Sequence, residues 1–148
     1  MLRTATLRTL TLFLGLALGL GMLGSLAPSA GAAETTEAAR YQPWGKTRAP
    51  DQVLRRGCRY YKYRYAVNPP GPDWTAEIFL VEPGGDILSN AVYFPASDPA
   101  TATRYWRICR SSTTPGRFKM RMKVTWYDNY DQHIGWVKPG YFWLKRPR

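Results

Sequence analysis

Residues 117–127, R-F-K-M-R-M-K-V-T-W-Y, alternate between polar and apolar side chains from Arg117 to Trp126. Successive side chains of a β-strand point to opposite faces of its sheet, so this period of two predicts a half-buried strand. One face carries the cations Arg117, Lys119, Arg121 and Lys123. The other carries Phe118, Met120, Met122, Val124 and Trp126. This pattern is typical of an antiparallel sheet with one face on the core and one face in water.

Similar strand-like segments lie on the N-terminal and C-terminal sides of this stretch. Turns rich in Pro, Gly, Asp, Asn and Ser separate them at residues 83–86, 111–116 and 128–132. The predicted strands are residues 59–67, 74–82, 87–94, 102–110, 117–127 and 134–144. In the last strand, Pro139 lacks a backbone donor and predicts an edge position or a bulge. The absence of a helical period predicts an all-β, antiparallel two-sheet sandwich, with a small barrel as the alternative.

The N-terminus has the features of a secretory signal peptide. Arg3 and Arg8 form a basic start, residues 10–26 are mostly Leu, Gly and Ala, and Ala30-Gly31-Ala32 offers small residues for cleavage. The alternative is an uncleaved membrane anchor, because about 20 apolar residues can span a bilayer. Residues 33–57 keep neither period and are predicted to be a flexible tail, with a short ordered stretch at residues 41–44. We therefore expect a signal peptide (1–32), a tail (33–57) and a β-sandwich domain (58–148).

The composition limits the chemistry that the chain can perform. It carries 21 Lys and Arg against 10 Asp and Glu, a formal net charge of +11, with 2 Cys and 1 His. These counts exclude a four-cysteine zinc site and a finger with two cysteines and two histidines. A lone cysteine pair in a secreted protein usually forms a disulfide, so Cys58 and Cys109 are predicted to be bridged. A redox-active pair is disfavoured because the chain has no Cys-x-x-Cys.

The order of Cys58, Trp74 and Cys109 resembles the Cys…Trp…Cys order of immunoglobulin-like β-sandwiches. This resemblance implies a disulfide between the two sheets, with the tryptophan packed against it. Arg107 stands where that family has a tyrosine, two residues before its second cysteine. The layout as a whole also looks like that of small secreted β proteins of Gram-positive bacteria, a resemblance that implies no activity.

The sequence predicts no enzyme, no cofactor and no metal site. His133 is the only histidine, and no nucleophile motif such as Gly-x-Ser-x-Gly accompanies it. Glu77 and Glu82 are five positions apart on a strand, so they point to opposite faces and do not form a glycosidase pair. Asp128, Asp131 and His133 offer ligands to a cation, but residues 128–131 are more simply a turn.

The four alternating cations, named here the basic row (Arg117, Lys119, Arg121, Lys123), are the candidate binding site. Their neighbours along the strand are roughly 6.6 to 6.8 Å apart. Lys62 and Arg64 repeat the pattern on the strand at 59–67. If the two strands are neighbours, they form a wide positive face that attracts a polyanion in a salt-dependent way. The alternative is an ordinary solvated face or protection of a sheet edge.

The last predicted strand offers aromatic side chains to the same site. Tyr141 and Trp143 share one face, where they would form flat platforms for sugar rings or proteins, whereas Trp136, Phe142 and Leu144 are assigned to the core. We expect a secreted, extracellular or wall-associated, non-catalytic binding module for anionic cell-envelope or extracellular polymers. A protein-interaction module (an inhibitor, adhesin or assembly partner) is the alternative, and secretion disfavours nucleic acid as the partner. No second membrane segment is expected after cleavage.

Overall fold

The computed structural model describes residues 40–147, and the predicted signal peptide, residues 1–32, lies outside them. The strands in this range are β1 (Gly45–Arg48), β2 (Gln52–Val53), β3 (Cys58–Val67), β4 (Trp74–Val81), β5 (Ile87–Tyr93), β6 (Thr101–Cys109), β7 (Gly116–Asp128) and β8 (Asp131–Lys145). A 3₁₀ turn at Arg110–Ser112 joins β6 to β7. The predicted all-β class is confirmed.

The strands form two sheets. The smaller has the order β1-β3-β6 and the larger has the order β2-β8-β7-β4-β5. The pairings are antiparallel, apart from the short parallel pairing of β2 with β8. The basic row therefore lies on the central strand of the larger sheet, whereas Lys62 and Arg64 lie on the central strand of the smaller one.

One hydrophobic core lies between the two sheets. β7 contributes Phe118, Met120, Met122 and Val124, the apolar face that the alternation predicts, and β3 contributes Tyr61, Tyr63, Tyr65 and Val67. Rings from the two sheets meet there, with the Tyr65 and Tyr93 centroids 4.2 Å apart and the Tyr63 and Tyr93 hydroxyls hydrogen-bonded to each other. Burying these large side chains is the main source of stability, because removal of apolar area from water drives folding.

The disulfide between Cys58 and Cys109 is confirmed, but it lies within one sheet. The two cysteines are directly opposite each other on β3 and β6. A disulfide between the sheets, as in an immunoglobulin-like sandwich, is therefore wrong for this chain, and Trp74 lies on β4 of the other sheet. The bond itself indicates an oxidising compartment.

The segment before Cys58 is part of the fold from residue 40 onward, whereas we predicted a flexible tail over residues 33–57. β1 pairs with β3 and β2 pairs with β8, so this segment touches both sheets. Leu54 is 0% exposed. The backbone N–H of Gln42 donates to the Trp136 carbonyl at 2.7 Å. Strands of four and two residues are too short to display a period, which is why the sequence did not reveal them.

Pro139 lies in a β-bulge, as its missing donor predicts. Met120 pairs with Gly140 and Met122 with Val137, so Arg121 alone opposes two residues of β8. The extra residue reverses the alternation along β8. Phe142 and Leu144 are buried as expected, but Trp136 points outward and contacts Arg121, so its assignment to the core is wrong.

Candidate functional site

The basic row lies on the outer face of the larger sheet. β7 has β8 on one side and β4 on the other, so all four cations project from the middle of the sheet. Protection of a sheet edge therefore does not explain them, because an edge strand has a free side and β7 has none.

The outer face of β8 places aromatic rings beside the basic row. Arg117 lies opposite Trp143, Lys119 opposite Tyr141 and Lys123 opposite Trp136. Tyr141 is 48% exposed and Trp143 is 47% exposed, so their expected exposure is confirmed. Cations and aromatic rings thus share one surface, which we name the basic-aromatic face.

Two of these rings hold guanidinium groups by cation–π contacts. The guanidinium carbon of Arg117 lies 4.1 Å from the Tyr141 ring centroid, and that of Arg121 lies 4.2 Å from the Trp136 ring centroid. Both distances are well inside the range of about 6 Å over which a ring attracts a cation. These contacts restrict the position of each guanidinium group, whose five N–H donors can bind an anion.

The charges of the row are not equally neutralised. Lys123 forms a salt bridge with Glu77, with 2.6 Å between Nζ and the carboxylate oxygen. Within residues 40–147, no carboxylate lies in salt-bridge contact with Arg117, Lys119 or Arg121. Three neighbouring cations of the row therefore have no carboxylate partner among the described residues, and they lie beside exposed aromatic rings.

A cleft of about 390 Å³ lies on this face, beside the bulge of β8. Its lining contains three cations, three aromatic rings and two apolar residues: Arg40, Lys119, Arg121, Tyr41, Trp136, Tyr141, Val137 and Pro139. No acidic side chain of the described residues lines it. The cleft therefore combines the charge and the flat apolar surface that an acidic sugar polymer requires.

Arg40 and Tyr41 were missed as site residues because their segment was assigned to the tail. They reach the cleft because Gln42 pairs with Val137 in a parallel β-bridge. The available signal was the sequence Tyr41-Gln42-Pro43-Trp44, in which aromatic residues interrupt a polar segment. This is the stretch that we expected to be ordered.

Lys62 and Arg64 do not join the basic row. β3 pairs with β1 and β6, so both side chains lie on the outer face of the smaller sheet. Arg48 of β1 lies directly opposite Arg64 there. The continuous positive face that adjacency would have produced does not form, and the cations are instead divided between two faces.

The candidate residues for catalysis or cation binding make structural contacts instead. The His133 ring stacks on Trp126, with 4.2 Å between the centroids. Asp128 and Asp131 are paired at the end of the β7–β8 hairpin, on either side of a turn in which Asn129 has a φ of 53°. Glu77 is engaged by Lys123. The hairpin thus uses its Asp and Asn residues as turn formers.

The described residues contain no cluster of metal ligands and no helix that could span a membrane. Among residues 40–147, no three His, Cys, Asp or Glu side chains are grouped so that they could hold a metal ion. The described part of the chain also has no helix of sufficient length and apolar character to cross a membrane. Comparisons with protein-family models, with curated proteins and with solved structures gave no match to this chain.

Proposed function

We propose that this protein is a secreted, non-catalytic binding module for anionic polymers of the cell envelope or the extracellular space. The observation that carries the proposal is the cleft of about 390 Å³, where Arg40, Lys119 and Arg121 lie among three aromatic rings. Cations that lack carboxylate partners attract a polyanion, and they act together because they lie on one surface.

The aromatic rings favour an acidic sugar polymer over a polyanion without rings. A sugar ring has an apolar face that packs against Trp or Tyr, and its carboxylate or phosphate accepts hydrogen bonds from Arg and Lys. Arg121 on Trp136 and Lys119 beside Tyr141 offer both contacts within one cleft. The disulfide supports the proposed location, because such bonds persist in oxidising compartments outside the cytosol.

The proposal is tested by binding to immobilised polygalacturonate, a polymer of acidic sugars, across a salt series. The test variant is Lys119→Ser/Arg121→Ser, and its control is Arg110→Ser/Arg146→Ser, which removes two exposed cations outside the face. We expect the test variant to bind more weakly and its salt slope to fall by up to about 1 per cation removed, while the control follows wild type. Equal binding by all three proteins would contradict the proposal.

A protein partner is the second candidate, and one feature favours it. β5 is an edge strand of the larger sheet, and Val92 on it, Ile87 at its start and Phe94 just after it are exposed apolar side chains. An exposed apolar edge can accept a strand from another protein. Binding that tolerates high salt and is lost on Val92→Lys would favour this candidate, because strand pairing depends little on charge.

A further inference from the structure

The outer face of the smaller sheet carries a second group of cations. They are exposed and come from all three of its strands: Lys46, Arg48, Lys62, Arg64 and Arg107. Within the described part of the chain, none of the five is in salt-bridge contact with a carboxylate. These five cations therefore resemble Arg117, Lys119 and Arg121 of the basic row, which also have no carboxylate partner among the described residues.

Two of these cations repel each other directly. Arg48 and Arg64 are register partners on β1 and β3, and Lys62 lies two residues from Arg64 on the same face. Like charges opposite each other on neighbouring strands destabilise a sheet. An anionic group bound between Arg48 and Arg64 would offset this repulsion. The pair therefore favours binding of an anion at this position.

The surface around this pair is concave. One depression of about 470 Å³ is lined by Arg48, Lys62, Arg64 and Thr103, among others, and a second of about 200 Å³ contains Lys46, Arg48 and Arg64. The two share Arg48 and Arg64, so they form one track along β1 and β3. No acidic residue lines either depression within residues 40–147.

Exposed aromatic rings accompany these cations too. Tyr105, which is 58% exposed, lies opposite Lys62, and Tyr60, which is 71% exposed, lies opposite Arg107. The mixture of cations and rings repeats that of the basic-aromatic face. The two faces therefore suit the same chemical class of ligand, a polymer of acidic sugars.

The two faces belong to different sheets, and each lies on the side away from the shared core. Tyr65 of β3 stacks on Tyr93 of β5 inside that core. We propose that the smaller sheet is a second polyanion site and that one molecule of this protein bridges two polyanion chains. The bridging rests on the proposed function of the first face, whereas the second site is carried by its own residues.

The experiment separates the sites by stoichiometry and the bridging by light scattering. A short oligogalacturonate is titrated by calorimetry, and long-chain polygalacturonate is added for the scattering measurement. The proteins are wild type, Lys119→Ser/Arg121→Ser, Arg48→Ser/Arg64→Ser and the control Arg110→Ser/Arg146→Ser. Each variant removes two positive charges, and thermal unfolding verifies that each is folded.

We expect wild type and the control to bind two oligomers per protein and to cross-link the long polymer. Each site variant should bind one oligomer, and its scattering should fall to the level of the polymer alone. Two oligomers on the Arg48→Ser/Arg64→Ser variant would overturn the second site. One oligomer on wild type, lost only in the Lys119→Ser/Arg121→Ser variant, would overturn the second site but leave the proposed function standing. One oligomer lost only in the Arg48→Ser/Arg64→Ser variant would overturn the proposed function and the bridging, and no binding would overturn all three.

Discussion

The arginines of the basic-aromatic face differ from its lysines in how they are held. Arg117 and Arg121 lie over the rings of Tyr141 and Trp136, whereas Lys123 forms a salt bridge with Glu77. A free arginine side chain has about 2 kcal/mol of rotamer entropy to lose on binding, and one already held against a ring has lost part of it. By holding the guanidinium groups in place, the rings would reduce the entropy lost if this face binds an anion, as we propose.

The buried tyrosine pair of the core makes the fold sensitive to alkali. Burial and the hydrogen bond that it shares with Tyr93 raise the pKa of Tyr63, and burial raises the pKa of Tyr93. Above a pH of about 10, the unfolded state loses these phenolic protons while the folded state keeps them, so the free energy of unfolding decreases as pH rises.

Tyr63→Phe/Tyr93→Phe should make that decrease shallower and should change stability little at neutral pH, since both hydroxyls of the bond are removed together. The measurement is denaturant unfolding at a series of pH values from neutral to alkaline. An unchanged alkaline slope in the double variant would assign the sensitivity to other groups.

At the scale of elements, the bulge in β8 creates the cleft. Trp136 and Tyr141 are five positions apart, a spacing that puts two side chains on opposite faces of a regular strand. The extra residue opposite Arg121 brings both to the outer face. Gly140 in this bulge lies directly against β1. A Cβ added there would overlap the Thr47 carbonyl oxygen and lie 2.7 Å from its hydroxyl oxygen.

Gly140→Ala should therefore destabilise the protein by about 1–3 kcal/mol, the usual cost of forcing extra atoms into a packed site. Gly84→Ala is the control, because a Cβ there meets nothing closer than an Asp86 carboxylate oxygen at 3.9 Å. Denaturant unfolding of both variants measures the difference. Equal stability of the two would show that β1 and β8 separate without cost.

The six longer strands could be predicted from sequence because their alternation and turns are local signals. β7 shows the period of two over its whole apolar face, and its burial follows that pattern. Trp136 was misassigned because the extra residue of a bulge shifts parity, and Pro139 marks the bulge without fixing which side chains change face. The order of strands depends on long-range pairing, so the separation of Lys62 from the basic row has no local signal. The aromatic residues at 41–44 indicate an ordered stretch, but only the long-range bridge of Gln42 with Val137 brings Arg40 to the cleft.

At the scale of the whole molecule, the disulfide joins strands that are distant in sequence. Cys58 and Cys109 are 51 residues apart, and the loop that they close contains β4 and β5 of the other sheet. Cross-linking a loop of this size restricts the unfolded chain by about 4 kcal/mol in the chain-entropy model. The disulfide should therefore stabilise both sheets against unfolding, although it lies in only one of them.

Cys58→Ser/Cys109→Ser should accordingly lower the free energy of unfolding by about 2–4 kcal/mol. Guanidinium unfolding of the variant and of wild type, each with and without reductant, measures the effect. The reductant should weaken wild type alone. A wild-type midpoint that does not change on reduction, with the loss of the bond verified by thiol titration, would contradict the expected role of the disulfide.

We propose that the cleft of the larger sheet binds a polymer of acidic sugars. The most direct test of this claim is an NMR titration of the labelled protein with a short oligogalacturonate. We predict saturable shifts of the Arg40, Lys119 and Arg121 amides and of the Trp136 indole N–H, while the indole of buried Trp106 stays in place. Saturable binding that leaves these four signals unmoved, or the absence of any shift at low salt, would contradict the claim.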